Sequence, residues 1–241
     1  MKAMLMAAGK GTRLGTMSET IPKVLLEING KTLLRHAVED CTTYGFDDII
    51  INVHHLADIV LEEVSRIKKD GFRVSVSDER DLLLETGGGL YNARNFFGSE
   101  PFLLYNADTL TDIDLKGLYN FHLQNMGLAT LAVRHREGKR YLLVDEEGRL
   151  KGWCNKVTGE RIVAVEEPVS LTEIAFSGRH IINPEIFKYM SDGIYTMTAL
   201  YLHLAEEHNI YTWLKDDGYW FNVGTPDDLD SARSFFLPPA P

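Results

Sequence analysis

Near the start of the chain, Gly9 and Gly11 bracket Lys10, Arg13 follows at once, and Lys23 stands ten residues beyond Arg13. Glycines at a strand end can take positive φ and turn bare amides toward an anion. An arginine adds a fork that matches phosphate oxygens. The same glycines could form only a tight turn, so the loop "AAGKGTRL" alone states a phosphate site without deciding it. Two common phosphate loops do not match. The dinucleotide pattern would need glycine where Leu14 stands, and no glycine lies five positions before Gly9 as a G-x-x-x-x-G-K-[ST] loop requires.

Two further stretches carry residue types with chemistry. "LETGGG" places three glycines at a helix start, at a cost of roughly 1 kcal/mol each relative to alanine. Something must approach that backbone closely, either a packed sheet or the base and ribose of a nucleotide. "FLLYNAD" ends an apolar run in Asn106 and Asp108. Magnesium takes one or two carboxylates with phosphate oxygens and water, so Asp108 could suffice as its protein carboxylate, or it could cap a turn. Asp112 and Asp114 suit the capping role better. His54 and His55 are adjacent, face opposite ways on a strand, and read as loop or surface residues.

The elements that would position these residues follow from periodicity. Buried strands are predicted over 2–8, 47–53, 72–78, 101–108 and 128–134, alternating with helices over 31–45, 56–71, 87–97 and 114–126. A βαβαβαβαβ order argues for an α/β fold, a Rossmann-like three-layer sandwich around a mostly parallel mixed sheet. Ligands bind such sheets at the carboxyl ends of the strands, where the glycine loop and Asp108 both fall. The second half predicts a hairpin over 140–154, a strand over 173–183 with a short helix after it, a helix over 196–208, a β pair over 210–224 and a helix over 226–236. No linker or repeat divides the chain. One domain over 1–236 is expected, with 140–220 as an inserted or capping region and 237–241 as a loose tail.

Composition narrows the class. The 241 residues are 44% hydrophobic, enough for a real core, and carry a formal net charge of −10. A general nucleic-acid binder needs a basic surface, so nucleic acid is not an expected partner; a small anion in a local cationic site is compatible. Two cysteines without a CxxC pattern argue against a disulfide framework or structural zinc. No segment has the length of a signal-peptide core or a membrane span, so a soluble cytoplasmic protein is expected.

"AAGKGTRL…PKVL" resembles the signature of sugar-1-phosphate nucleotidyltransferases, read roughly as L-A-A-G-x-G-T-R-L…P-K-x-L. The resemblance runs to about residue 236, and "LETGGG" is most similar to the form in N-acetylmuramate 1-phosphate uridylyltransferases. It implies that Ala8, Gly9, Lys10, Gly11 and Thr12 wrap a nucleoside triphosphate, with Arg13 on the leaving pyrophosphate and Lys23 between the α-phosphate and the incoming sugar phosphate. It implies nucleotide contacts from Glu85, Thr86, Gly87, Gly88 and Asn106, with Glu79 toward the base edge. Magnesium would sit on Asp108 and on Asn222, which stands where the family commonly has aspartate. Gly178 and Asn183 would face the sugar, although Asn183 could equally cap the following helix.

The sequence departs from the pattern at Gly15-Thr16, where a residue and then proline are usual. It departs at Ala107, in place of glycine, and at Glu167, where many relatives have the lysine that meets the sugar phosphate. Trp153, Asn155 and Lys156 are alternatives for that last task. The implied reaction joins a nucleoside triphosphate to a sugar 1-phosphate, releasing pyrophosphate, with UTP and N-acetylmuramate 1-phosphate favoured and cell-wall recycling as the setting. Mannose- or heptose-type 1-phosphates with GTP, phosphocholine with CTP, and a nucleotide-sugar sensor without turnover are the alternatives. The acceptor phosphate is ionised near neutrality, its second pKa being about 6, so the absence of a catalytic Ser–His constellation is consistent with this chemistry.

Overall fold

A computed structural model describes residues 1–164 and 170–236; Glu167 and the expected tail 237–241 lie outside the described residues. In chain order the strands are β1 (Lys2–Met6), β2 (Glu27–Ile28), β3 (Lys31–Thr32), β4 (Asp48–Val53), β5 (Arg73–Asp78), β6 (Phe102–Asn106) and β7 (Thr109–Thr111). They continue as β8 (Ala129–Arg134), β9 (Arg140–Val144), β10 (Leu150–Asn155), β11 (Arg161–Val163), β12 (Thr172–Ile182), β13 (Ile210–Leu214) and β14 (Trp220–Asn222). The helices are α1 (Met17–Thr20), α2 (Leu33–Thr43), α3 (Ala57–Lys69), α4 (Glu85–Asn92), α5 (Leu115–Asn125), α6 (Met197–Leu204) and α7 (Pro226–Phe236).

Strand alternation sets the layering. Ala3, Leu5, Ile49, Ile51, Leu103 and Tyr105 point to one face, where α2, α3 and α5 cover them. Their neighbours Met4, Ile50, Phe102 and Leu104 point to the other face and pack with Leu90 of α4 and Leu200 and Tyr201 of α6. With both faces apolar, the sheet must be sandwiched, and the α/β three-layer expectation holds. The order β5-β4-β1-β6 is parallel. Long β12 then runs antiparallel to β6 and pairs β8 and β9, so the sheet is mixed, with β13 added to β8 in parallel and β10 and β11 beyond β9.

Two expectations for the second half change. The strands over 210–224 do not pair with each other: β13 joins β8 of the main sheet, while β14 pairs β7 in a separate two-stranded ribbon. The Trp213 side of β13 extends an apolar sheet, whereas Trp220–Asn222 run beside the turn that carries Asp108. β11 was hidden because its three residues Arg161, Ile162 and Val163 are all exposed and offer no alternation.

A third apolar cluster matters most for function. Leu14, Leu26, Ile28 and Leu33, around the glycine loop, pack with Leu110 of β7, Val223, and Leu229 and Ala232 of α7. This cluster fastens the first thirty residues to the last thirty described ones at the carboxyl edge of the sheet.

Candidate active site

The loop after β1 begins from a fixed point. The buried Ala7 amide donates to Asn52 Oδ1 at 2.7 Å, and Asn52 Nδ2 donates to Glu79 Oε1 at 3.0 Å. Beyond it the chain opens: an added Cβ on Gly9 would meet nothing within 4 Å. Gly11 takes φ +64°, where an added Cβ would stand 3.2 Å from Lys23 Cβ, so this glycine lets the loop close over the lysine stem. Gly15 also takes positive φ, +63°, and its carbonyl accepts from the Ser18 hydroxyl at 2.8 Å. The Gly15-Thr16 departure is therefore a turn that starts α1.

Lys23 follows Pro22 and is only 7% exposed. Its ammonium donates to Asp108 Oδ2 at 2.6 Å, while the Asp108 side chain keeps 34% of its exposure. This ion pair stands in the wall of a cavity of about 430 Å³ that the glycine loop, Arg13, Glu85, Thr86, Asn106 and Asp108 also line. Its volume lies in the range of small-molecule sites. Arg13 crosses from this cavity into a second one of about 370 Å³, shared with Trp220 and Asn222. Gly224 makes room for it: a Cβ there would stand 3.0 Å from the Arg13 guanidinium.

Asp108 sits in the short turn between β6 and β7, and that turn is gripped from beneath. Arg179 is fully buried and donates to the Asn106 carbonyl at 3.3 Å, to the Thr109 carbonyl at 3.1 Å and to the Thr109 hydroxyl. Its guanidinium lies 3.3 Å from the centre of the Tyr105 ring, whose hydroxyl donates to Asp40. Burial pushes the Asp40 carboxyl up to about 6, partly offset by the Arg179 charge. Arg179 reaches its place through a bulge in β12, where Gly178 takes φ +85° and packs against Asn106 and Thr109.

The donor set suits magnesium. Asp108 offers one carboxylate, and Asn222 pairs with Thr109 while the Val223 amide donates to the Asp108 carbonyl at 3.0 Å. Asp108 lines the first cavity and Asn222 the second, on paired backbone; a carboxylate and an amide oxygen, with phosphate oxygens and water, are donors a hard cation accepts. Among the described residues no group of three or more His, Cys, Asp or Glu side chains forms a closed metal cage.

Several expected residues lie elsewhere. Glu79 does not line the cavity; its carboxylate is 4% exposed, one oxygen takes the Asn52 amide and the other has no partner, and burial raises its pKa. Gly87 and Gly88 are also behind the wall. The Gly87 amide donates to the Tyr195 carbonyl at 2.8 Å, and a Cβ on Gly88 would overlap the Gly193 carbonyl oxygen. The close approach expected of a base is made here by the 193–195 segment. Thr86 lines the cavity and also accepts from the Met197 amide at 2.8 Å, tying α4 to α6. Glu85, at the cavity, holds φ +59°, an uncommon state for a non-glycine residue.

On the acceptor side, Asn183 is a cap: its Oδ1 accepts from the Glu185 amide at 3.0 Å, and it borders a separate hollow beside Asn209 and Glu185. The Asn155 side chain closes its own turn, and Lys156 pairs with Glu173 at 2.6 Å. Trp153 does line a cavity, described below. Asn52, Gly224, Arg136 and Arg179 escaped the sequence reading. Gly224 matters through a tertiary contact with Arg13, and Asn52 and the two arginines carry no local signal.

A family model described as "Nucleotidyl transferase" matches residues 2–237. The chain is 30% identical over 241 residues to an N-acetylmuramate alpha-1-phosphate uridylyltransferase of Neisseria meningitidis, covering 97% of each. It is 28% identical to a mannose-1-phosphate guanyltransferase of Yarrowia lipolytica, covering 98% of this chain and 64% of that one. The fold is similar to the crystal structure of HddC from Yersinia pseudotuberculosis complexed with GMP-PN, with a TM-score of 0.79 and 22% identity over 98% of this chain and 99% of the other.

Proposed function

Because the chain belongs to the nucleotidyl transferase family, and its relatives are sugar-1-phosphate nucleotidyltransferases, we propose that it couples UTP to N-acetylmuramate 1-phosphate, forming UDP-N-acetylmuramate and pyrophosphate. The observation that carries the chemistry is the Lys23–Asp108 pair at 2.6 Å in the wall of a cavity bounded by the open glycine loop. The preference for this acceptor rests on the 97% mutual coverage with the uridylyltransferase. We place the reaction in the cytoplasm. Cys41 and Cys154 are both free and buried, and among the described residues no helix is long and apolar enough to cross a membrane.

In this reading the loop over Ala8–Thr12 cradles the triphosphate, and Glu85, Thr86 and Asn106 border the nucleoside. The acceptor phosphate, already ionised, attacks the α-phosphorus in line; the bond to the β-phosphate oxygen breaks and pyrophosphate leaves. No side chain needs to remove a proton. Lys23 turns from Asp108 toward the phosphate oxygens on which charge collects, and Arg13, held over Gly224, neutralises the departing pyrophosphate. Asp108 and Asn222 would hold magnesium, which supplies charge neutralisation at the triphosphate when bound. The test is pyrophosphate release across UTP, GTP, CTP and dTTP with a panel of sugar 1-phosphates and phosphocholine. Fastest turnover with UTP and N-acetylmuramate 1-phosphate is expected. Nucleotide binding without release for any pair would make the protein a sensor.

A further inference from the structure

A third cavity, of about 230 Å³, has a composition that the nucleotide chemistry does not use. Its walls are aromatic and apolar, including Tyr141, Trp153, Phe176 and Tyr201, and two arginines, Arg136 and Arg140, reach into it. No Asp or Glu is among the described residues that line it. Its one histidine, His180, is held neutral, its pKa pulled down to about 3 by burial and then by the neighbouring Arg179. Among the described lining residues the hollow therefore carries two arginines, half-buried Arg136 and exposed Arg140, and no carboxylate, in a protein whose formal net charge is −10.

Arg136 is built in rather than waving at the surface. Its guanidinium lies 4.0 Å from the centre of the Trp220 ring, donates to the Phe176 carbonyl at 3.2 Å, and leaves a buried Nε without a partner. Neither arginine has a carboxylate partner among the described residues. Burying a cation without a counter-charge is costly, and burial does lower the Arg136 pKa. An anionic ligand group would remove that cost through a bidentate pair.

The position excludes the phosphates of the reaction. None of the residues lining this cavity lines the one that holds Lys23, Arg13 and Asp108. The two are linked through the intermediate hollow, which shares Arg13 with the first and Arg136 with the third. On the nucleotidyl-transfer reading, an acceptor whose 1-phosphate sits at Lys23 would extend past Trp220, in the intermediate hollow, toward Arg136. We infer that Arg136 and Arg140 select an acceptor sugar carrying a carboxylate, in addition to its phosphate, and bind that carboxylate against an aromatic wall. This inference rests on the nucleotidyl-transfer reading above and names the specificity device within it.

N-acetylmuramate 1-phosphate and N-acetylglucosamine 1-phosphate differ only in the lactyl ether that bears the carboxylate, so they form a matched pair of probes. The wild-type protein should show a kcat/KM at least tenfold higher for the muramate. Arg140→Ala, at an exposed position, and Arg136→Gln should each cut that ratio at least fivefold, by raising KM for the muramate while KM for UTP stays put. Arg136→Lys, which keeps the charge but not the fork, should fall between. The inference is overturned if the wild-type protein is active but prefers the acceptor without the carboxylate, if the ratio survives Arg140→Ala and Arg136→Gln, or if both acceptors lose equally. No release from any acceptor in the wild-type protein would instead overturn the underlying reaction.

Discussion

At the residue scale, Lys23 and Asp108 form a pair whose two halves fail in different ways. On the proposed mechanism, removing the lysine leaves a partly exposed carboxylate and no cation at the phosphorus, and removing the aspartate frees the lysine but takes away the carboxylate that would hold magnesium. Lys23→Ala and Asp108→Ala should each lower turnover by two or more orders of magnitude, with far-UV circular dichroism and melting cooperativity unchanged. Near-normal pyrophosphate release from either purified variant would dismiss the assignment. Arg179 acts through others: it grips the carbonyls of Asn106 and Thr109 that flank Asp108. Arg179→Lys keeps the charge but cannot span those acceptors. It should raise the magnesium concentration for half-maximal turnover at least fivefold while KM for the sugar phosphate moves less. A purely structural role would lower the melting temperature and leave the magnesium dependence alone. Asp108 was legible in the sequence because it follows an apolar strand at a turn, and Lys23 because it stands in the P-K-V-L run of the family resemblance. Arg179 was not, because an arginine within an apolar strand looks the same whether it snorkels or is buried.

At the scale of elements, α4 shows where sequence logic stops. Three glycines at its start demanded a close neighbour, and the structure provides one in residues 193–195, more than a hundred positions away. Nothing local could distinguish that partner from a nucleotide. At an exposed helix position, Gly→Ala would stabilise by about 1 kcal/mol. Gly88→Ala should instead destabilise, by roughly 2–4 kcal/mol, because the new methyl overlaps the Gly193 carbonyl. Chemical denaturation gives the sign directly, and a gain in stability would show that the two segments do not touch. The strands over 210–224 teach the same lesson. Their existence was readable from aromatic and β-branched residues, but the choice of β8 for one and β7 for the other is made by tertiary packing.

For the whole molecule, the layering was readable because alternation on β1, β4 and β6 is apolar on both faces. The buried titratable groups inside those layers were not, since burial is a property of the assembled fold. They set an acid response. Burial holds His180 near 3 and His122 near 4, below the 6.5 of an unfolded histidine, so the unfolded chain binds these protons first and stability falls as pH drops below about 6.5. Asp40, raised to about 6 from 3.8, has the opposite sign and adds stability as pH falls through that window. Glu79, whose pKa burial also raises, has the same sign as Asp40, so two carboxyls oppose the two histidines over that window. Asp40→Asn removes one opposing group and should make stability fall more steeply with acid in urea titrations at pH 6, 5 and 4, by up to about 1.4 kcal/mol per pH unit. An unchanged slope would mean that Asp40 is already ionised throughout.

The ribbon of β7 and β14 also has a meaning in time. Gly224 must be present for Arg13 to lie as it does, and Asn222 stands beside Asp108 only once β14 has joined β7. A ribosome that has made the glycine loop must therefore add some two hundred further residues before the site exists. Over that interval Lys23 and Arg13 are on a nascent chain without the wall that gives them a substrate. The contacts that would complete the proposed site are among the most distant in sequence, and they place its assembly after β14 has been made.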